Sequence, residues 1–119
     1  MKRDRITINE NMVSITGTNI WMTDYEITDL LGVTLSAVRN HVKSIFKSGI
    51  LSESGTYRYI LLENGNRADA YNMEMITALA FRLKSLSAQI FREWVVRKTV
   101  TPSRSAQPIV LQIGNGFPC

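Results

Sequence analysis

Residues 24–48 hold two amphipathic helical repeats separated only by Gly32-Val33-Thr34, and this pairing constrains the fold more than any other feature. Thr23 or Asp24 can cap a helix start, because a side-chain oxygen there accepts from a free backbone N–H. Ile27, Leu30 and Leu31 follow at helical spacing, and Gly32 stops the pattern. The spacing predicts a short helix over 24–31 that carries Asp24, Glu26 and Asp29 and no base. After Val33-Thr34, Val38, Val42, Ile45 and Phe46 recur on one face, the pattern of a buried stripe. This predicts a second helix over 35–48, ended by Gly49, with Arg39, Lys43 and Lys47 and no acidic residue.

The two together have the layout of a helix-turn-helix. With Val38 as zero and about 100° per residue, Val42, Ile45 and Phe46 lie within about 80° of it. Ser36, Asn40, Lys43 and Lys47 lie between about 140° and 200°, on the opposite side, with Arg39 on the shoulder at about 100°. Such a stripe can enter a major groove while the apolar stripe holds the helix to its domain. Asn40 suits an adenine edge and Arg39 a guanine edge. Thr34, Ser36, Lys43 and Lys47 suit phosphates, which set orientation rather than sequence. The acidic first helix beside the basic second one would point one face at DNA. A Lys/Arg stripe is also the ordinary solvated face of a helix, and helix-Gly-helix patterns occur in many all-α proteins. His41, about 60° to one side of Val38, fits boundary packing or a phosphate contact better than catalysis.

Elsewhere the chain alternates strand and helix signals. Ile6, Ile8, Met12, Val13 and Ile15 alternate with polar residues around Asn9-Glu10-Asn11, which predicts a short hairpin. Gly17-Thr18-Asn19 then turns the chain. Gly49-Ile50-Leu51 leads towards a second hairpin, 57–62/67–71, around Asn64-Gly65, a dipeptide that favours turns with φ > 0 at both central positions. Its second arm is weak by propensity at Ala68, Asp69 and Ala70. Arg67 sits at the tip, either as a wing contact to a backbone or minor groove or as an exposed loop arginine. Tyr57 and Tyr59 share one side of their strand, where they cover core or stack on bases. Asn72 caps a third helix with Ile76, Leu79, Ala80 and Leu83 inward. A fourth helix runs from Ser85–Ser87 to about Thr99, with Ile90, Phe91, Trp94 and Val95 apolar and Arg92, Glu93, Arg97 and Lys98 mostly solvated. Trp21 and Trp94 are read as core residues. Residues 1–99 are expected to form one domain. Pro, Ser, Gly and Asn dominate 100–119, read as a flexible tail in which Ile109-Val110-Leu111 could add a strand.

Composition narrows the function classes. Hydrophobic residues make up 45% and charged residues 20% of the chain, enough to build a core. Lys and Arg outnumber Asp and Glu for a net charge of +4, which permits an anionic partner without requiring one. The one cysteine, Cys119, and the one histidine, His41, exclude a disulfide framework and a Cys- or His-rich zinc site. No apolar stretch follows Met1-Lys2-Arg3-Asp4-Arg5, so no signal peptide is expected, and no apolar run is long enough to span a bilayer; a soluble, reducing, cytoplasmic setting is the expectation. With no glycine-rich phosphate loop, nucleophile motif or clustered carboxylates, neither an enzyme nor a cofactor is expected.

Several segments resemble a known family. Trp21-Met22-Thr23, Ile27-Thr28-Asp29-Leu30-Leu31-Gly32-Val33 and Val38-Arg39-Asn40-His41-Val42-Lys43-Ser44-Ile45-Phe46 resemble the N-terminal region of the RhuM family of bacterial virulence-associated proteins. Tyr71-Asn72-Met73-Glu74-Met75-Ile76, Phe81-Arg82-Leu83 and Phe91-Arg92-Glu93-Trp94 are similar to its later motifs, and the last also to phage antirepressor N-terminal domains. Met73 and Phe81 stand where Leu and Tyr are commoner in the family, whose members typically continue beyond this module. The resemblance covers about 20–98 and implies a DNA-binding module from a mobile-element or phage-like context, with no established enzyme chemistry. The combined expectation is an α+β, winged-helix-like helix-turn-helix with a β-hairpin wing and a C-terminal helical pair. It would bind double-stranded DNA through Thr34, Ser36, Arg39, Asn40, Lys43, Lys47 and Arg67, as a homodimer paired through Phe91, Trp94 and Val95. The rival expectation is an antirepressor-like protein-interaction module that does not touch DNA.

Overall fold

The computed structural model describes residues 3–100 of the chain. The expected tail 101–119, with Cys119, lies outside the described residues. The first hairpin forms where the alternation places it, as β1 (Ile6–Asn9) and β2 (Met12–Ile15) with Ile6 opposite Ile15. Glu10 and Asn11 both take positive φ, 51° and 64°, so the strands are joined by a two-residue turn whose twist matches theirs. Gly17 is required next. A Cβ there would lie 2.3 Å from the Asp4 carboxylate, which accepts the Asn19 N–H.

A strand that the sequence analysis did not anticipate follows. β3 (Trp21–Thr23) runs directly into α1 (Asp24–Leu31). Thr23 is the N-cap. Its hydroxyl accepts from the Glu26 N–H while the Glu26 carboxylate accepts from the Thr23 N–H, a closed capping box. Gly32 ends the helix in the left-handed conformation, and α2 (Leu35–Ser48) begins three residues later with Thr34 as its cap and Gly49 as its left-handed stop. One helical turn, α3 (Glu53–Thr56), also unanticipated, leads into β4 (Tyr57–Leu61) and β5 (Arg67–Asn72). The connection differs from the expected two-residue turn. Leu62 N–H bonds the Asn66 carbonyl and Gly65 N–H bonds the Leu62 carbonyl, so the loop is Glu63-Asn64-Gly65 with only Gly65 at positive φ, 92°. The Leu61–Arg67 register leaves room for three loop residues between Leu62 and Asn66, and this loop length places its single left-handed residue last.

β5 is the middle strand of an antiparallel sheet in the order β3-β5-β4, with Thr23 opposite Ala70 and Ile60 opposite Ala68. Ala68 and Ala70 are poor strand formers but both are buried, Ala70 between Arg58 of β4 and Thr23 of β3 and Ala68 opposite Ile60 of β4. Small side chains fit there, and tertiary placement overrides propensity. α4 (Met73–Ala80), capped by Asn72, and α5 (Leu86–Val100) complete an α+β fold. Ser85 ties its last helix in place. Its hydroxyl donates to the Leu31 carbonyl at the end of α1 and accepts the Ala88 N–H.

One face of this sheet contributes Met22 and Tyr71 to the main core, with Ile27, Leu31, Val38, Ile45, Ile76 and Phe91 from four helices. Each fully buried aliphatic side chain contributes about 1.5–3 kcal/mol. The other face buries Trp21 with Ile60 and Ala70, and the Arg58 guanidinium lies 4.2 Å over the indole, shielding it from water. Three side chains differ from expectation. Tyr59 is 61% exposed, because the hairpin extends beyond the helices at that point, while Tyr57 reaches the core. Arg92 is not solvated. It donates to the Ala80 and Leu83 carbonyls, which the end of α4 leaves without intrahelical partners. Phe91 is fully enclosed, so it offers no surface for pairing.

Candidate nucleic-acid interface

The candidate face is set by the way α2 is anchored. Val38, Val42 and Ile45 are buried on the side of α2 packed against α1 and α4, and Phe46 and His41 are half-buried at the margin. The remaining circumference is left to solvent. Ser36, Asn40, Lys43 and Lys47 are all exposed and lie along one side, and Thr34 is exposed at the start. The Thr34 hydroxyl accepts the Ala37 N–H at 3.1 Å, so its lone pairs serve the helix first. Neither Lys43 nor Lys47 forms an ion pair among the described residues.

Arg39 is placed differently. Its Nε donates to Asp24 Oδ2 at 3.0 Å across the α1–α2 crossing, and its guanidinium carbon lies 5.7 Å from the centre of the Tyr25 ring. The Asp24 side chain is 4% exposed and that of Arg39 52%, so the pair joins a buried anion to a half-open cation. On the other shoulder of α2, Arg82 Nη1 donates to Ser44 Oγ at 3.1 Å. Two arginines therefore flank the Ser36/Asn40/Lys43/Lys47 stripe.

The acids of α1 do not stand free as a negative counter-face. Asp24 is bound to Arg39, and Glu26 holds Arg3 Nη1 at 2.6 Å and also pairs with Arg5. Burial pushes the Glu26 carboxyl up. The bonds from Arg3 and the Thr23 N–H, with the charges of Arg3 and Arg5, outweigh that and hold it below its ordinary value. Only Asp29, exposed, remains without an ion-pair partner on this helix among the described residues.

Arg67 opens β5 at the distal end of the second hairpin and is exposed. Its register opposite Leu61, with Tyr59 opposite Asp69, places Tyr59, Leu61 and Arg67 on one face of the hairpin. The Tyr57 hydroxyl donates to Asp69 at 2.7 Å, which with partial burial pushes its pKa up to about 12. Arg67 and α2 belong to one sheet-and-helix body, yet no hydrogen bond or ion pair among the described residues joins them.

Tyr25 and Arg82 were not read as part of this face from sequence. Tyr25 lies about 160° from Ile27 on the α1 wheel, which marks it as outward-facing. Arg82 had no such signal, since it follows the end of α4 and reaches Ser44 across 38 positions. Among the described residues no helix is long and apolar enough to cross a membrane, and no three His, Cys, Asp or Glu side chains gather as metal ligands would. Comparison with known proteins returns no matching family model, no matching curated protein and no matching solved structure.

Proposed function

We propose that this chain is a sequence-specific regulator module that binds double-stranded DNA by laying α2 in the major groove, as a winged-helix-like helix-turn-helix. The observation that carries the reading is the open side of α2. Ser36, Asn40, Lys43 and Lys47 stand exposed while Val38, Val42 and Ile45 lock the opposite side into the core. Asn40 addresses a base edge, and Thr34, Ser36, Lys43 and Lys47 address phosphates. The β4–β5 hairpin acts as the wing. β3 enters α1 directly and pairs with β5, so hairpin and helix pair are joined through one sheet. The resemblance to the RhuM N-terminal region supports the same reading. The module acts in the cytoplasm, without catalysis or cofactor. One such helix spans few base pairs, so the working form is a homodimer, and with Phe91 enclosed its pairing surface is Trp94 and Val95.

The test is a titration of duplex DNA at two salt concentrations with wild type, Asn40→Ala and Lys43→Glu. Asn40→Ala is expected to lose sequence preference, and Lys43→Glu to bind every duplex more weakly. Full retention of binding in the double variant overturns the proposal. It would favour the second reading, an antirepressor-like protein-interaction module. That reading draws on an open apolar groove of about 570 Å³ lined by Leu51, Met73, Ala78, Trp94 and Val95.

A further inference from the structure

We infer that Arg39 is the specificity-determining residue of this face, and that Asp24 and Tyr25 position its guanidinium to read one guanine edge. The inference rests on the DNA-binding reading above and adds to it the base that is read and the device that reads it. Arg39 lies in the first turns of α2, beside Ser36 and Asn40. Its Nε donates to Asp24, on the inner edge of the fork, and the Tyr25 side chain also engages the guanidinium. The two Nη groups, at the outer edge of a half-exposed side chain, are left for a partner. Two parallel N–H donors in a rigid plane match O6 and N7 of guanine more closely than the point charge of a lysine does.

Three physical points separate Arg39 from the lysines beside it. An arginine already held by a carboxylate and an aromatic face loses less rotamer freedom on binding than an untethered one. Lys43 and Lys47 have no such tether, which suits contacts to phosphates, where position is forgiving. The Asp24–Arg39 pair is also close to neutral as a unit. It adds little to sequence-independent attraction, which depends on uncompensated cations, so its contribution is directional hydrogen bonding.

The experiment selects binding sites for the full chain from a randomised duplex library. Affinities are then measured for the selected duplex and for single-base substitutions of it. Wild type is expected to prefer guanine at one position by roughly 5- to 150-fold. Arg39→Lys, which keeps the charge and loses the fork, is expected to lose that preference at that position alone, with its salt dependence unchanged. Asp24→Asn, which keeps an acceptor oxygen and the side-chain volume, is expected to reduce it. Thermal melts of both variants report folding separately. Guanine preference that persists in Arg39→Lys overturns the inference. So does an equal loss on every duplex, the mark of a phosphate contact. A preference abolished by Arg39→Lys but untouched by Asp24→Asn overturns the positioning role. Failure of wild type to bind any duplex removes the DNA-binding reading itself.

Discussion

Replacing Lys43 and Lys47 together by Gln gives the most quantitative check on the α2 face. Both side chains are exposed, neither forms an ion pair among the described residues, and neither belongs to the buried stripe. Stability should therefore change by no more than about 0.5 kcal/mol. Among the cations of the proposed surface that have no carboxylate partner among the described residues, Lys43, Lys47 and Arg67 are assigned to backbone phosphates, while Arg82 is engaged by Ser44. Each phosphate neutralised contributes about −0.9 to the slope of log affinity against log salt, so each bound protomer should contribute a slope near −2.7 in wild type and near −0.9 in the double variant. Between 50 mM and 200 mM salt that corresponds, per protomer, to a loss of about 40-fold for wild type and about 3.5-fold for the variant. Fluorescence anisotropy with one labelled duplex over that salt range measures both slopes, with a thermal melt as the folding control. Equal slopes for the two proteins would refute the reasoning, because lysines that meet phosphates must release counterions when they bind.

Three further outcomes follow from the packing. Ile45→Ala empties a fully buried position on the inner side of α2 and should cost about 2–5 kcal/mol in chemical denaturation. Gly65→Ala should cost about 1–2 kcal/mol by the same assay. An added Cβ there meets nothing within 4 Å, so the whole effect is the backbone strain of φ 92°. Stability should also fall at both ends of the pH scale. The Glu26 carboxyl holds its proton less tightly when folded, so the stability it contributes is complete above the ordinary carboxylate range and drains away as pH drops through its lowered native value. For Tyr57 the protonated hydroxyl is the favoured form in the fold, so its contribution is complete below about pH 10 and disappears on the way to about 12. Denaturation midpoints across pH for wild type, Glu26→Gln and Tyr57→Phe measure this, each variant flattening one end only.

Legibility followed the range of the interaction. Both helices of the pair could be read closely because their signals are local. Thr23 and Thr34 cap, Gly32 and Gly49 accept left-handed backbone, and the apolar spacing between them has the helical period. The exposed stripe of α2 was legible for the same reason, since one buried face fixes the other by rotation. β3 was not legible. Three residues carry no period, and Trp21–Thr23 is extended because β5, some 50 positions later, offers it a backbone partner. The strand through Ala68 and Ala70 was weak by propensity for the same reason, since the burial that holds these small residues is a property of the assembled sheet.

Charge partners divide the same way. Sequence by itself determined that α1 is acidic, that α2 is basic, and which side of each faces outward. Only the tertiary structure decided that Asp24 closes on Arg39, that Glu26 gathers Arg3 and Arg5, and that Arg92 binds the open carbonyls after α4. A helix is specified by bonds four residues long, whereas an ion pair needs two side chains brought within about 4 Å by everything that folds between them.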